Sequence, residues 1–177
     1  MTGDVLVRAR TDADIAAITR IYAHHVLNGS SSWELAPPDQ DEMARRAQAT
    51  RDAGYPYLVA ERDGDVVGYT YVGAYRPRPA YRFTVEHSIY IDEAVWRGGI
   101  GRSLMEKLIE ACTEAGYRQM IAVVGDSQNL QSIRFHELMG FEHVGRIENI
   151  GFKFGRWMDQ VLMQRPLGEG AQTLPKP

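Results

Sequence analysis

Three glycines, Gly98, Gly99 and Gly101, fall between the strand-like run Ser88-Ile89-Tyr90-Ile91 and a helical pattern that opens at Ile100. Glycine adopts backbone angles closed to other residues and lets a ligand approach the main chain. The helix start that follows carries unpaired N–H donors and the positive end of a dipole. Together these features make a cradle for an anion, most naturally a phosphate. A P-loop would need Lys-Ser or Lys-Thr after its last glycine, and Arg102-Ser103 stands at the wrong spacing. A dinucleotide fingerprint would need a third glycine where Leu104 is found. At this level a plain turn and a ligand loop both remain open.

The elements around this loop follow from periodicity. Ile100, Leu104, Leu108, Ala111 and Ala115 form one helical stripe, widened by Met105, Ile109 and Cys112, and Gly116 ends it. Met120 to Val124 is a continuous apolar run suited to a strand covered on both faces. Strand, glycine turn, helix and strand make a βαβ unit with the anion site at the carboxyl end of its first strand. That first strand is expected over Arg82 to Asp92, where regular alternation puts Glu86, Ser88 and Tyr90 on one face; a bulge would shift the pattern.

Upstream, Val5-Leu6-Val7 predicts a short strand. Thr11 and Asp14 predict a capping box before an amphipathic helix carrying Ile15, Ile18, Ile21, Tyr22 and Val26. Pro37-Pro38-Asp39 opens a more polar helix to about Ala53, and Asp63-Gly64 joins strands Tyr57 to Glu61 and Val66 to Tyr75 as a tight hairpin. Arg76-Pro77-Arg78-Pro79 reads as a loop. Asn129 precedes a helix ending at Gly140, and Phe141 to Ile147 and Trp157 to Met163 predict two last strands. The order gives an α/β or α+β layout with a mixed sheet: one domain over residues 1–167 and a loose tail over 168–177.

The chain has 177 residues, 44% of them hydrophobic, enough for one core. Twenty Lys and Arg against 23 Asp and Glu leave a net charge of −3, which excludes the broad basic field of a nucleic-acid binder. No apolar stretch approaches a membrane span and the first residues hold no signal-peptide core, so the expected setting is cytoplasmic. The single cysteine, Cys112, lies on the apolar stripe and reads as a buried thiol. His24 and His25 have no metal-ligand spacing with other donors, and no metal is expected.

This order, with a glycine turn after the fourth strand, resembles the GNAT superfamily of acetyl-CoA-dependent N-acetyltransferases over about residues 5–166. Gly99 and Gly101 match the family's loop, while Trp96 stands where Gln or Arg is usual. Asn129, His136, Gly140 and Phe141 are similar to its second segment. Thr84 to Ile91 and Lys153-Phe154-Gly155-Arg156-Trp157 resemble, more specifically, the phosphinothricin and methionine sulfoximine acetyltransferase group. The resemblance implies a GNAT fold with a mostly antiparallel sheet, acetyl-CoA as co-substrate, a small amino-acid analogue acetylated on its α-amino group, and a homodimer.

Acetyl transfer needs a neutral amine, a stabilised oxyanion and a protonated thiol. The resemblance assigns Glu86 as the base that deprotonates the amine. Ser88, Ile89, Tyr90 and Ile91 then supply contacts to the co-substrate, with N–H groups around Ile89 to Ile91 for the oxyanion. Arg97, Gly98, Gly99, Ile100, Gly101, Arg102 and Ser103 would hold its pyrophosphate, and Asn129 would touch it. His136 stands near the family's general acid and would protonate the thiolate or simply hydrogen-bond the co-substrate. Arg76 and Arg82 flank the proline loop and could grip a substrate carboxylate through paired hydrogen bonds. Trp33, Tyr75 and Trp157 are candidate pocket walls. The competing readings are acetylation of a protein N-terminus or lysine, and an acyl-CoA-binding module without turnover.

Overall fold

The computed structural model describes residues 4–95 and 98–175. Seven strands form one sheet in the order β1-β2-β3-β4-β5-β7-β6. They are β1 (Leu6–Ala9), β2 (Tyr57–Arg62), β3 (Asp65–Ala74), β4 (Thr84–Ile91), β5 (Gln119–Gly125), β6 (Glu142–Lys153) and β7 (Arg156–Pro166). All neighbours are antiparallel except β4 and β5, whose connection is the predicted βαβ crossover. Helices α1 (Ile15–Asn28) and α2 (Gln40–Asp52) cover one face, and α3 (Ile100–Glu114) and α4 (Leu130–Leu138) the other. This is the mixed α/β layout expected from the order of elements. No helix among the described residues is long and apolar enough to cross a membrane.

Local chemistry accounts for the boundaries. Asp14 accepts from the Thr11 N–H at 2.7 Å and pairs with Arg8 at 2.8 Å, holding its carboxyl down at about 2. Asp39 caps α2 by accepting from the Glu42 N–H. Asp63 and Gly64 both take positive φ, 54° and 89°, as a two-residue hairpin turn requires. Register shifts lie not in β4 but between Ala60 and Glu61 on β2 and in the β6–β7 pair, between His143 and Gly145 and between Ile147 and Gly151. Alternation therefore holds along β4: Val85 joins the core under α3, Tyr90 the core under α1. Cys112 is fully buried, and burial pushes its thiol up to about 12.

Three segments differ from the expected pattern. A 3-10 turn at Pro79–Tyr81 folds the proline loop compactly. The β6–β7 hairpin is longer than its apolar runs suggest, because after a register shift past Ile147 the pairing resumes at Gly151, Phe152 and Lys153. Residues 168–174 run in turns held by Arg118, which donates to the Gly170 and Leu174 carbonyls, where aperiodic composition suggests a loose tail.

The connection between α1 and α2, residues 29–39, lies across the carboxyl ends of β4 and β5 as a strap. Gly125 permits this approach, since a Cβ there would collide with the Ser30 carbonyl oxygen. Gly151 similarly lies under the Trp33 ring. Gly125→Ala is expected to displace the strap and to cost about 1–3 kcal/mol of stability, the range for overpacking, measurable as a lower denaturation midpoint with unchanged slope. A midpoint equal to that of the parent protein would mean that the strap yields freely.

Candidate active site

The site begins where β4 and β5 part. Their register runs through Thr84↔Gln119, Val85↔Met120, Glu86↔Ile121 and His87↔Ala122 and then stops, although both strands continue. Ser88 to Ile91 thus has no β5 partner along that edge, and a wedge-shaped gap opens between the strands. Two cavities meet there. Ser31, Ile89, Asn129 and Ser132 line both.

The larger cavity, about 790 Å³, is an elongated cleft bounded by the end of α1, the strap, Ile89 and Ile91 of β4, the start of α3 and the loop before α4. At its base Gly98 and Gly99 take positive φ, 108° and 77°, and Gly99 is the N-terminal cap of α3. The space beside Gly99 is open, with no atom within 4 Å of a Cβ built there. A Cβ on Gly101 would touch Phe135 at 3.5 Å. This is the geometry of an anion cradle, and it fits the phosphate-bearing co-substrate that the resemblance implies.

Of the residues expected to hold that co-substrate, Ile89, Ile91, Gly99, Ile100, Gly101, Arg102 and Asn129 line the cleft. Ser88 and Tyr90 line the second cavity instead. Gly98 and Ser103 line neither. Gly98 shapes the turn, its carbonyl accepting from Arg62, and the Ser103 N–H is spent on the Gly99 carbonyl. Arg97 and Trp96 lie outside the described residues. Arg102 is exposed and paired with Glu106 at 2.7 Å. Asn129 does cap α4, accepting from the Ser132 N–H at 3.2 Å, while its amide reaches Ser30.

The second cavity, about 360 Å³, is lined by Glu86, His87, Ser88 and Tyr90 of β4, by Val123 to Gly125 of β5, and by Tyr22, strap residues Ser31 to Glu34, and α4. Burial raises the Glu86 carboxyl above its ordinary range, against the pull of the Arg76 charge. A half-buried carboxylate with a raised pKa beside a small cavity is suited to taking a proton. Trp33 also lines this cavity; Tyr75 and Trp157 do not.

His136 lines the second cavity, but its hydrogen bonds leave it no proton to give. Its Nδ1 lies 2.7 Å from the Ser132 carbonyl, which only accepts, so Nδ1 carries the hydrogen. Its Nε2 lies 3.1 Å from His87 Nε2. Burial lowers its pKa, so the ring is neutral near pH 7. The expected general-acid role is not supported by this geometry. Arg82 is likewise turned away: it donates to the Pro79 carbonyl and lies over Phe83, so the 3-10 turn consumes it. Arg76 is exposed and lines neither cavity, although its charge reaches Glu86.

Several site residues were given no role by the sequence, although Lys153, Phe154 and Arg156 belong to a segment that carried the resemblance. His25 Nε2 donates to the Ile91 carbonyl, 2.8 Å away, and His24 pairs with Glu93, so both wall the cleft. Lys153, from the far hairpin, is buried and donates to the carbonyls of Ser32 at 2.8 Å and Gly29 at 3.1 Å. Burial lowers its pKa, partly offset by Glu34. Phe154 and Arg156, also on the hairpin, close the cleft, with Arg156 bonded to Asp126. Among the described residues no group of His, Cys, Asp and Glu could hold a metal.

Comparison with known proteins adds to this geometry. An acetyltransferase (GNAT) domain model matches residues 7–162. The chain is 53% identical to a phosphinothricin N-acetyltransferase of Alcaligenes faecalis, over 96% of this chain and 86% of that protein. It is 40% identical to an L-methionine sulfoximine/L-methionine sulfone acetyltransferase of Salmonella typhimurium, over 93% and 96%. The fold superposes with a TM-score of 0.94 on a crystal structure of a GNAT superfamily phosphinothricin acetyltransferase from Sinorhizobium meliloti in complex with AcCoA, at 46% identity, covering 97% of this chain and 93% of that one.

Burial lowers the pKa values of His25, His87 and His136. Below about pH 6.5 the unfolded chain takes up protons on these imidazoles that the folded protein refuses, so stability falls as pH falls. Each buried imidazole should contribute a slope of up to about 1.4 kcal/mol per pH unit. Denaturant unfolding between pH 7.5 and 5 checks this, and a flat profile would contradict neutral burial of the three rings.

Proposed function

Because the chain belongs to the GNAT acetyltransferase family and is an acetyl-CoA-dependent N-acetyltransferase, we propose that it acetylates the α-amino group of a small amino-acid analogue of the phosphinothricin, methionine sulfoximine or methionine sulfone type, with Glu86 as general base. The observation that carries this reading is the small cavity beside Glu86, which meets the cofactor cleft at the β4–β5 gap. About 360 Å³ suits an amino acid. A protein N-terminus or lysine side chain would be better served by an open groove. Turnover on free amino acids but not on peptides separates the two readings, and release of CoA at all separates both from a binding module.

Acetyl-CoA supplies the activated acetyl group. The residues about it divide the work. The Gly98–Gly99 turn and the first N–H groups of α3 hold phosphate; Ile89 and Asn129, at the junction of the cavities, steer the acyl end into the gap. The β4 edge beyond His87 offers backbone groups without a β5 partner to the developing oxyanion. Glu86 takes the proton from the substrate ammonium. Arg76, which already acts on Glu86 through charge, is the candidate grip for a substrate carboxylate.

The exposed apolar residues of the last hairpin, Val144, Ile147, Ile150, Phe152, Phe154 and Trp157, support the homodimer that the resemblance implies. Dependence on acetyl-CoA supports a cytoplasmic setting, and one seven-stranded sheet with helices packed on both faces supports a single domain over residues 1–167.

Gly99→Glu meets no neighbour, so its cost is the strain of a side chain at positive φ, about 1–2 kcal/mol, and it should lose the thermal stabilisation that saturating acetyl-CoA gives the parent, of order 2.7 kcal/mol at a hundredfold excess over Kd. Retained stabilisation would remove the cradle from the cofactor site. Glu86→Gln should lower kcat with methionine sulfone about 100-fold at unchanged acetyl-CoA affinity. In the parent, the acid limb of kcat/KM should lie above the ordinary glutamate value of about 4.3, because the base works ionised and burial delays its ionisation. A Glu86→Gln enzyme as fast as the parent from pH 6 to 9 would return Glu86 to a structural role.

A further inference from the structure

His87 and His136 face one another, Nε2 to Nε2, at the closed end of the β4–β5 gap. Both are buried, at 6% and 4% exposure, and both line the small cavity. Hydrogen positions follow by elimination. The Ser132 carbonyl fixes the proton of His136 on Nδ1, so a neutral His136 presents a bare Nε2. His87 must then donate from its own Nε2. That leaves His87 Nδ1 as a bare lone pair, and it is indeed a buried atom with no partner. The reverse arrangement would need a charged His136 and an orphan His87 N–H, and nothing nearby would pay for it. The β5 neighbours Met120 and Ala122, the α3 neighbours Met105 and Leu108, and Phe141 are all apolar. Glu86 leaves the opposite face of β4. Glu34 comes from the strap across the cavity and is paired with Arg46, and Arg134 and Glu137 of α4 pair with each other in solvent.

The bond between the rings is the first link of a directed series. His87 donates to His136, His136 to the Ser132 carbonyl, the Ser132 N–H to Asn129, and the Asn129 amide to Ser30 of the strap. The series runs from β4, where pairing ends, through the first turns of α4 to the strap, and two of its members, Ser132 and Asn129, line both cavities.

We propose that His87 is a positioning residue for acetyl transfer: by donating to the Nε2 of His136 that the Ser132 carbonyl leaves bare, it anchors α4 against β4, holding the wall across which acetyl group and amine meet. His136 is then a neutral bracket in the series. The inference rests on the acetyl-transfer reading only for the step it serves; the tautomer stands independently of any substrate.

The test pairs NMR with kinetics. In the 15N-labelled parent at pH 7, His136 should show a protonated Nδ1 and a bare Nε2, and His87 the opposite. His136 protonated on Nε2, or on both nitrogens, would overturn the proposal whatever the enzyme acetylates. His87→Phe fills the space without a donor and should lower kcat about tenfold while the KM for acetyl-CoA changes less than about twofold, since the phosphate cradle lies on α3. His87→Gln, whose amide can donate in the same direction, should stay within about threefold of the parent. Equal losses in Phe and Gln variants, or none in either, would overturn the positioning role. Should His87→Phe fail to fold, Gln and the parent spectrum still decide. A parent that acetylates none of the proposed analogues would sink the substrate assignment and leave the tautomer result standing.

Discussion

Four residue pairs hold β4 and β5 together, and the site opens where they end: Glu86 stands in the third pair, His87 in the fourth, and the free edge of Ser88 to Ile91 lies beyond. Parallel strands whose register continued would bury the edge of Ser88 to Ile91 in a ladder and leave neither cavity. The sheet tolerates the break because each strand is secured on its other side: β4 stays paired with β3 through Gly68↔Ile91, and β5 with β7 through Gly125↔Gln160. Backbone groups released by the break are the ones proposed to meet the oxyanion, and they stand on a strand still held by its other neighbour.

A gap of this kind must be propped, and the props come from every layer. On one face α4 enters with His136 and Asn129; on the other α1 brings His25 to the Ile91 carbonyl. The strap crosses the top, tied by the Tyr22 hydroxyl to Ser32 and by Lys153 to two carbonyls. Lys153 has no carboxylate partner among its hydrogen bonds, so its ammonium is satisfied by carbonyl oxygens, which neutralise less charge than an ion pair; burial accordingly lowers its pKa.

The sequence made the elements legible because each carries its own period: the α3 stripe, the apolar β5 run, the Asp63-Gly64 turn and the alternation that sets Glu86 beside Ser88 all appear where local patterning puts them. The glycine cradle was legible for the same reason, since Gly98 and Gly99 must take positive φ whatever packs around them. Contacts distant in sequence left no local trace. Lys153 holding residue 29, Arg156 bonding Asp126 and His87 meeting His136 follow from topology alone. Arg82 misled because a guanidinium beside a pocket and one folded onto its own turn look alike in sequence; Pro79 and Phe83 decided between them.

The last hairpin carries a consequence for biosynthesis. Its turn delivers Lys153 to the strap and Phe154 and Arg156 to the cleft, yet those groups lie over a hundred residues downstream of the strap they complete. Residues 4–125 can order eight of the elements while the chain is still emerging from the ribosome, but the cleft stays unwalled and the strap untethered until β6 and β7 have been made and β7 has paired with β5. Such late, long-range closure is slow relative to local helix formation. The cleft is thus walled only once the last hairpin has docked, and a chain cut short before residue 156 would hold Glu86 on β4 with no finished site around it.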